Sequence, residues 1–348
     1  MSALESITKC TPRMIRKFLL RSIYAGLVVN IVGSPAIGKS SVVHSVASEL
    51  NLQVIDHRLS TSAPEDLSGL PHFDDKGFAR FSPFADLFPL EHTPLPEGKE
   101  GWLLFLDEFS SAHKDVQAAA YKLILDKMVG QHRLHGRVVI VCAGNLATDR
   151  AIVNKIGTAM QSRLVTLEMV VSFEEWLEDV AIPQKYDPRI IAYLSQYPSK
   201  LFDFRPDHTE NTFCAPRTWM FMNALIKGER ILVEDTPLYA GTITSGTAVE
   251  FVTYCGLLGG MVSVADILKD PANCRLPDTP TLKWATIAHM MEKISDANFG
   301  ALCEYVSRMD STFRVLFFRS VMIRQPKLRN HPAFIAGMVS INRYLNPH

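Results

Sequence analysis

The octapeptide GSPAIGKS, Gly33 to Ser40, constrains this chain more than any other stretch. The apolar run GLVVNIV leads into it, and KSSVVHSVASEL, which reads as a helix, leads out. Glycines let such a loop bend until its backbone N–H groups point inward. The helix that starts at its end adds a positive pole. Gly33, Ser34, Pro35, Ala36, Ile37, Gly38, Lys39, Ser40 and Ser41 therefore read as a phosphate cradle between a strand and a helix. Lys39 is spaced to reach the β- and γ-phosphates of a nucleotide, and the Ser40 hydroxyl to ligate Mg²⁺.

The rest of the chain sets what the cradle serves. LQVIDHRL (52–59), GWLLFLDEF and VVIVCAGN read as further buried strands. Residues 14–25 read as an amphipathic helix. KDVQAAAYKLILDK has a helical period, with Val116, Ala119, Ala120 and Leu123 on one face. GQHRLHGR reads as a small hairpin, and 60–100, rich in Pro, Phe and Asp, has no clear period. Strands alternating with helices imply an α/β fold, a parallel sheet covered on both faces. Beyond about residue 172 the strand signal fades. SFEEWLEDVA, PRIIAYLSQYPSKL, PRTWMFMNALIKGERIL, LKWATIAHMMEKI and NFGALCEYVSRM read as helices, with GERILVED a solvated helix end. The expected organisation is an α/β nucleotide-binding core (1–170), a helical lid (171–260) and a helical C-terminal region (261–348).

Chemistry concentrates at strand ends. LLFLDE delivers Asp107 and Glu108 to the carboxyl edge of a strand, where ligands of open α/β sheets sit. Asp107 reads as a holder of Mg²⁺, mostly through water, and Glu108 as the group that polarises an attacking water. Asn145 ends the next strand and can hold that water or sense the γ-phosphate. Arg163, in AMQSRL, and Arg217, in APRTW, are candidates for the positive charge that phosphoryl transfer needs. Taken alone, each arginine reads first as half of a surface ion pair. His132 and His135 lack cysteine or carboxylate partners at metal-site spacing and read as hairpin histidines, and Met220 and Met222 as packing residues.

Composition narrows the partners. Thirty-six basic residues balance thirty-six acidic ones among 348, so no global field favours nucleic acid or an anionic membrane. The six cysteines are scattered without a C-x-x-C and read as reduced thiols of a cytoplasmic protein. The N-terminal twenty residues carry charges throughout and do not resemble a signal peptide. AVEFVTYCGLLGGMVSVADIL, Ala248 to Leu268, contains Glu250, Asp266 and three glycines. It reads as buried helices around a Gly-Gly break rather than a membrane span.

In that order, the cradle, LLFLDE, the hairpin, CAGN, SRL and PRTW resemble an AAA+ ATPase, and within that superfamily the MoxR-like group. DLSGLP followed by GFARFSPFADLFP resembles the insert in the second helix that marks this clade. NLATDRAIVNKIGTAMQSRL resembles the run to its arginine finger, and FCAPRTW its second sensor. The resemblance covers about residues 15–260 and leaves the C-terminal ninety or so without a motif. It implies that Gly33, Gly38, Lys39 and Ser40 bind the phosphates of ATP and Mg²⁺. Asp107 would be the metal-holding acid, Glu108 the base, Asn145 the first sensor, Arg163 a finger acting in trans and Arg217 the second sensor. It further implies a hexameric ring that remodels a protein partner, often one with a von Willebrand factor A domain. One departure is Ala36, where the family's loop has a glycine. Two other readings stand beside this one: a nucleic-acid-dependent motor, and a nucleotide-gated scaffold with little turnover.

Overall fold

A computed structural model describes residues 9–84, 87–149, 154, 156–257 and 262–345, with side chains to 341. It separates into two compact units, Met1–Ser172 with Arg205–His208, and Phe173–Phe204 with Thr209–His348. The Gly-Gly break at 259–260 and part of the run to Arg163 (150–153 and 155) lie outside the described residues.

In the first unit, β1 (Lys9–Cys10), α1 (Pro12–Tyr24), β2 (Val28–Val32), α2 (Lys39–Glu49) and β3 (Leu52–Arg58) lead to a short α3 (Pro64–Ser68). The hairpin β4 (Leu70–Phe73) and β5 (Ala79–Ser82) follows. Then come β6 (Gly101–Asp107), α4 (Lys114–Asp126), the hairpin β7 (Met128–Val129) and β8 (His132–Arg133), β9 (Val138–Gly144), α5 (Thr158–Gln161) and β10 (Leu164–Met169). Among the described residues the main sheet is parallel with order β1-β10-β2-β9-β6-β3.

Its central strands β2, β9 and β6 are nearly continuous apolar runs because helices cover both faces. Side chains alternate along β6. Trp102, Leu104 and Leu106 join Val116, Ala120, Leu123 and Ile124 of α4 in one buried cluster. Phe105 turns to the other face and meets His44 of α2 edge-on, with ring centroids 6.4 Å apart. Asp107 follows Phe105 at the same parity, on the α2 side. From β2 the chain proceeds toward β3, and from β9 it proceeds the opposite way to β10. The carboxyl ends of β2 and β9 therefore flank a crevice, the place such sheets keep for ligands. Across it the Gly33 N–H donates to the Gly144 carbonyl at 3.3 Å.

Two strands beyond the four expected complete this sheet, β1 and β10. The hairpin expected at GQHRLHGR (130–137) exists, with its second strand, 132–133, inside that stretch and its first, 128–129, just before it. His132 Nε2 lies 3.2 Å from the Phe81 carbonyl, and His135 Nδ1 accepts the Arg137 N–H. Among the described residues no three His, Cys, Asp or Glu side chains gather as a metal site, and no disulfide forms.

The second unit is helical: α6 (Phe173–Trp176, continuing as a π-helix through Ala181), α7 (Pro188–Gln196), α8 (Pro216–Ile226), α9 (Thr236–Ile243), α10 (Ser245–Leu257), α11 (Val264–Lys269), α12 (Pro280–Lys293), α13 (Asp296–Ser307), α14 (Ser311–Arg324) and α15 (Pro332–Leu345). The helix of PRTW stops at Ile226, because Gly228 turns left-handed at φ +82°, so GERILVED is loop and a 3₁₀ turn rather than a helix end. Met222 is buried on α8 and Met220 is 45% exposed. No helix among the described residues is long and apolar enough to cross a membrane. Tyr193, Trp219 and Phe251 pack around one another, with centroids 5.4–5.9 Å apart.

A buried ion pair braces this unit. Asp187 caps α7 by accepting the Arg189 N–H at 3.0 Å and takes both Nε and Nη2 of Arg189 at 2.8 Å. Arg189 also donates to the Ile226 carbonyl at 2.7 Å, at the end of α8. Removing Asp187 strands a guanidinium that is still 25% exposed, so the cost falls below that of a fully buried pair, at about 1–3 kcal/mol. Asp187→Ala is expected to lower the unfolding free energy measured by urea denaturation by that order, and an unchanged value would show the pair to be energetically idle.

The first unit is thus an α/β core of P-loop type, with its parallel sheet between helices, and the chain beyond it is helical.

Candidate functional site

The cradle fills the crevice at the end of β2. Two residues take it through positive φ, Ala36 at +63° and Gly38 at +100°. The loop is pressed against β10. A Cβ on Gly33 would lie 2.8 Å from the Met169 carbonyl oxygen and 2.8 Å from Ile37 Cδ1, so glycine is required there by close approach. Gly38 is the N-cap of α2, and Lys39, Ser40 and Ser41 form its first turn, whose N–H groups lack helical partners of their own.

Lys39 is 9% exposed. Its Nζ donates to the carbonyls of Gly33 at 2.7 Å and Ser34 at 2.9 Å, and to Asn145 Oδ1 at 3.2 Å. The structure therefore brings the cradle lysine and the strand-end amide into contact, though 106 residues separate them in sequence. Ser40 Oγ donates to Asp107 Oδ2 at 3.4 Å. A hydroxyl and a carboxylate converging beside a phosphate cradle are the hard oxygen donors that suit Mg²⁺. That ion keeps several waters and takes its remaining oxygens from phosphate. Burial pushes the Asp107 carboxyl above its usual range. Asp56 and Glu108 add to that, against the lowering by the Glu108 N–H bond and by Lys39. A cation is the natural partner for a carboxylate in that position.

Glu108 follows in a left-handed conformation at φ +55°, with its N–H donated to Asp107 Oδ1 at 2.8 Å. Its carboxylate accepts the Ser60 hydroxyl and faces Arg58, whose Nε lies 3.6 Å from Oε1. Ser60 and Arg58 escape a sequence reading because neither belongs to a recognisable pattern. Their one signal is position, at the carboxyl end of β3, the strand paired with β6.

Arg163 is exposed, and its Nη1 donates to the Ala159 carbonyl of its own short helix at 2.7 Å. It precedes β10, and Leu164 pairs with Val28 at the start of β2. The cradle begins after the end of β2 at Val32. At about 3.3 Å per residue, the strand puts roughly 17 Å between the level of Arg163 and the cradle of the same molecule. Arg163 is therefore not brought to the site formed by Lys39, Ser40, Asp107 and Asn145. Arg217 is exposed in the first turn of α8 and belongs to the other unit.

No protein-family model matches the chain, and no curated protein matches its sequence. Among solved structures, one described as a "putative ATPase" from Cytophaga hutchinsonii ATCC 33406 aligns over 94% of this chain and 79% of its own. It is 13% identical, with a TM-score of 0.37. A mutant of Thermotoga maritima RuvB aligns over 74% of this chain and 75% of its own, at 16% identity and a TM-score of 0.36. Likenesses this distant assign neither residue roles nor an activity, which have to be drawn from the site itself.

Proposed function

We propose that this chain is an ATPase of AAA+ type, of the MoxR-like kind, that hydrolyses ATP to ADP and phosphate and uses the cycle to remodel or activate a protein partner. The observation that carries the reading is the meeting of Lys39 with Asn145, beside Ser40 with Asp107, at the carboxyl ends of three adjacent strands. Each pair joins a cradle residue to a strand end that the sequence singles out independently.

In this reading the loop N–H groups and Lys39 bind the β- and γ-phosphates. Ser40 and Asp107 hold Mg²⁺, which when bound neutralises charge on the phosphate oxygens. Glu108 draws a proton from the attacking water, and Asn145 orients that water or the γ-phosphate. Arg163 serves the site of a neighbouring copy in a ring, taken as hexameric, and Arg217 is a second sensor on a lid formed by the first helices of the second unit. The client, as in proteins of this kind, is a protein, with a von Willebrand factor A domain as the first candidate. The balanced charge of the chain weighs against a nucleic-acid motor.

Lys39→Ala tests the foundation. Loss of the ammonium from a nearly buried cradle is expected to weaken binding of a fluorescent ATP analogue at least a hundredfold (about 2.7 kcal/mol). Unchanged affinity would sink the cradle assignment. Turnover in the presence of DNA or RNA separates the motor reading, which requires strong stimulation.

A further inference from the structure

The turn after Glu108 is fastened in two directions, and the chemistry above makes no use of either. Ser110 is 4% exposed and lies in the 3₁₀ turn Phe109–Ser111. Its Oγ accepts the Asn145 N–H at 2.9 Å and donates to the Asn145 carbonyl at 3.2 Å. One hydroxyl thus satisfies both main-chain groups of the residue just past β9. The approach is close: a Cβ on Gly144 would lie 2.5 Å from Ser110 Oγ and 2.9 Å from its Cβ. Gly144 is therefore a glycine because Ser110 occupies its side-chain space.

The second fastening runs toward Arg163. The Ser110 carbonyl accepts the Asn154 N–H at 2.7 Å, and Asn154 Nδ2 donates to the Ala112 carbonyl at 2.8 Å. Gln117 of α4, 6% exposed, donates through Nε2 to the Phe109 carbonyl at 3.2 Å and the Ala112 carbonyl at 3.4 Å. Asn154 stands at the head of the stretch that passes through α5 to Arg163. Met160 of α5 is buried in the same apolar cluster as Phe109 and Ala112.

We propose that Ser110 is a positioning residue. Its hydroxyl fixes the main chain of Asn145, and with it the amide that faces Lys39, relative to the turn that carries Glu108. Its carbonyl, with Gln117 and Asn154, extends the same hold to the stretch before Arg163. This inference rests on the ATPase reading. In that reading Glu108, Asn145 and the approach to Arg163 move as one body, so a shift in the acid's turn reaches both the molecule's own site and the face offered to a neighbour. Displacing a reacting group by about 1 Å can cost on the order of a hundredfold in rate.

The test compares full-length wild type, Glu108→Gln, Ser110→Ala and Gly144→Ala. Ser110→Ala removes only the hydroxyl. Gly144→Ala keeps the hydroxyl and pushes it away, so it serves as an independent arm if either variant folds poorly. Both are expected to bind a fluorescent ATP analogue within about twofold of wild type. Both should lose tenfold or more in kcat at unchanged KM, with faster amide hydrogen exchange at Asn145. A Ser110→Ala kcat within twofold of wild type, in an assay where Glu108→Gln is inactive, overturns the positioning role. So does a loss that falls on affinity and kcat alike, which marks general damage to the fold. If wild type itself does not turn over ATP, the ATPase reading fails and the positioning role falls with it; if Glu108→Gln turns over like wild type, the base lies elsewhere and the role of Ser110 in placing Glu108 is overturned.

Discussion

Arg163→Ala is expected to bind ATP with wild-type affinity and to hydrolyse it about 10³- to 10⁵-fold more slowly, the usual range for loss of an arginine that meets the γ-phosphate in the transition state. Affinity survives because Arg163 lies at the far end of the sheet from the cradle of its own molecule, beside the start of β2. Among the described residues its guanidinium donates to the Ala159 carbonyl of the short helix before it, so little else is lost with it. Mixing supplies the decisive comparison. Arg163→Ala copies retain a good cradle and acid, and Glu108→Gln copies retain a good arginine. In mixed assemblies some sites pair the intact halves, and turnover should exceed that of either variant alone. If mixed assemblies form and no ratio restores turnover, the arginine does not act in trans and is a structural surface residue.

Glu108→Gln is expected to retain nucleotide and lose about 10²- to 10⁴-fold in turnover, the range for removal of a general base. The amide keeps the volume and the left-handed main chain, but it cannot take a proton from water. The side chain is about one-third exposed and its Arg58 partner more so. The pair therefore contributes at most about 1 kcal/mol to stability. A kinetic collapse would then report chemistry rather than unfolding. Turnover at the wild-type rate would mean that the base lies elsewhere. Trapped in the ATP state, this variant would also be the natural bait for the protein partner proposed above.

How much of this was readable beforehand depends on where burial is strong. β6 and β9 are buried almost throughout, so their apolar runs stand out in the sequence, and with them the acids and the amide at their ends. The cradle announces itself through glycines that sterics demand. The hairpin β4–β5 is exposed at every position, so no alternation marks it, and its strands are set by an Asp74–Gly77 turn instead. β10 is only partly buried and mixes Thr166 and Glu168 with its apolar residues, which hides it. Ser60, Arg58 and Ser110 act through partners far away in sequence, and single polar residues carry no spacing signal. That Arg163 and the cradle occupy opposite ends of one sheet follows from the register of β10 on β2, which no local pattern encodes.

Ala36 sets how the cradle meets its ligand. A left-handed alanine costs about 1–2 kcal/mol relative to the relaxed conformation, while glycine in its place would give the unfolded chain about 0.4–1 kcal/mol more freedom to lose on folding. The strain exceeds the entropy saved, so alanine costs the fold a net of about 1 kcal/mol relative to glycine, and what it supplies in return is a narrower local ensemble. Pro35 holds its own φ on one side, Ile37 is packed away on the other, and Gly33 is wedged against Met169. Such a loop has its shape before a nucleotide arrives. In the proposed reading, the entropy of ordering it is lost during folding and does not weaken association, so phosphate would be recognised by preorganised fit rather than by a loop that closes around it.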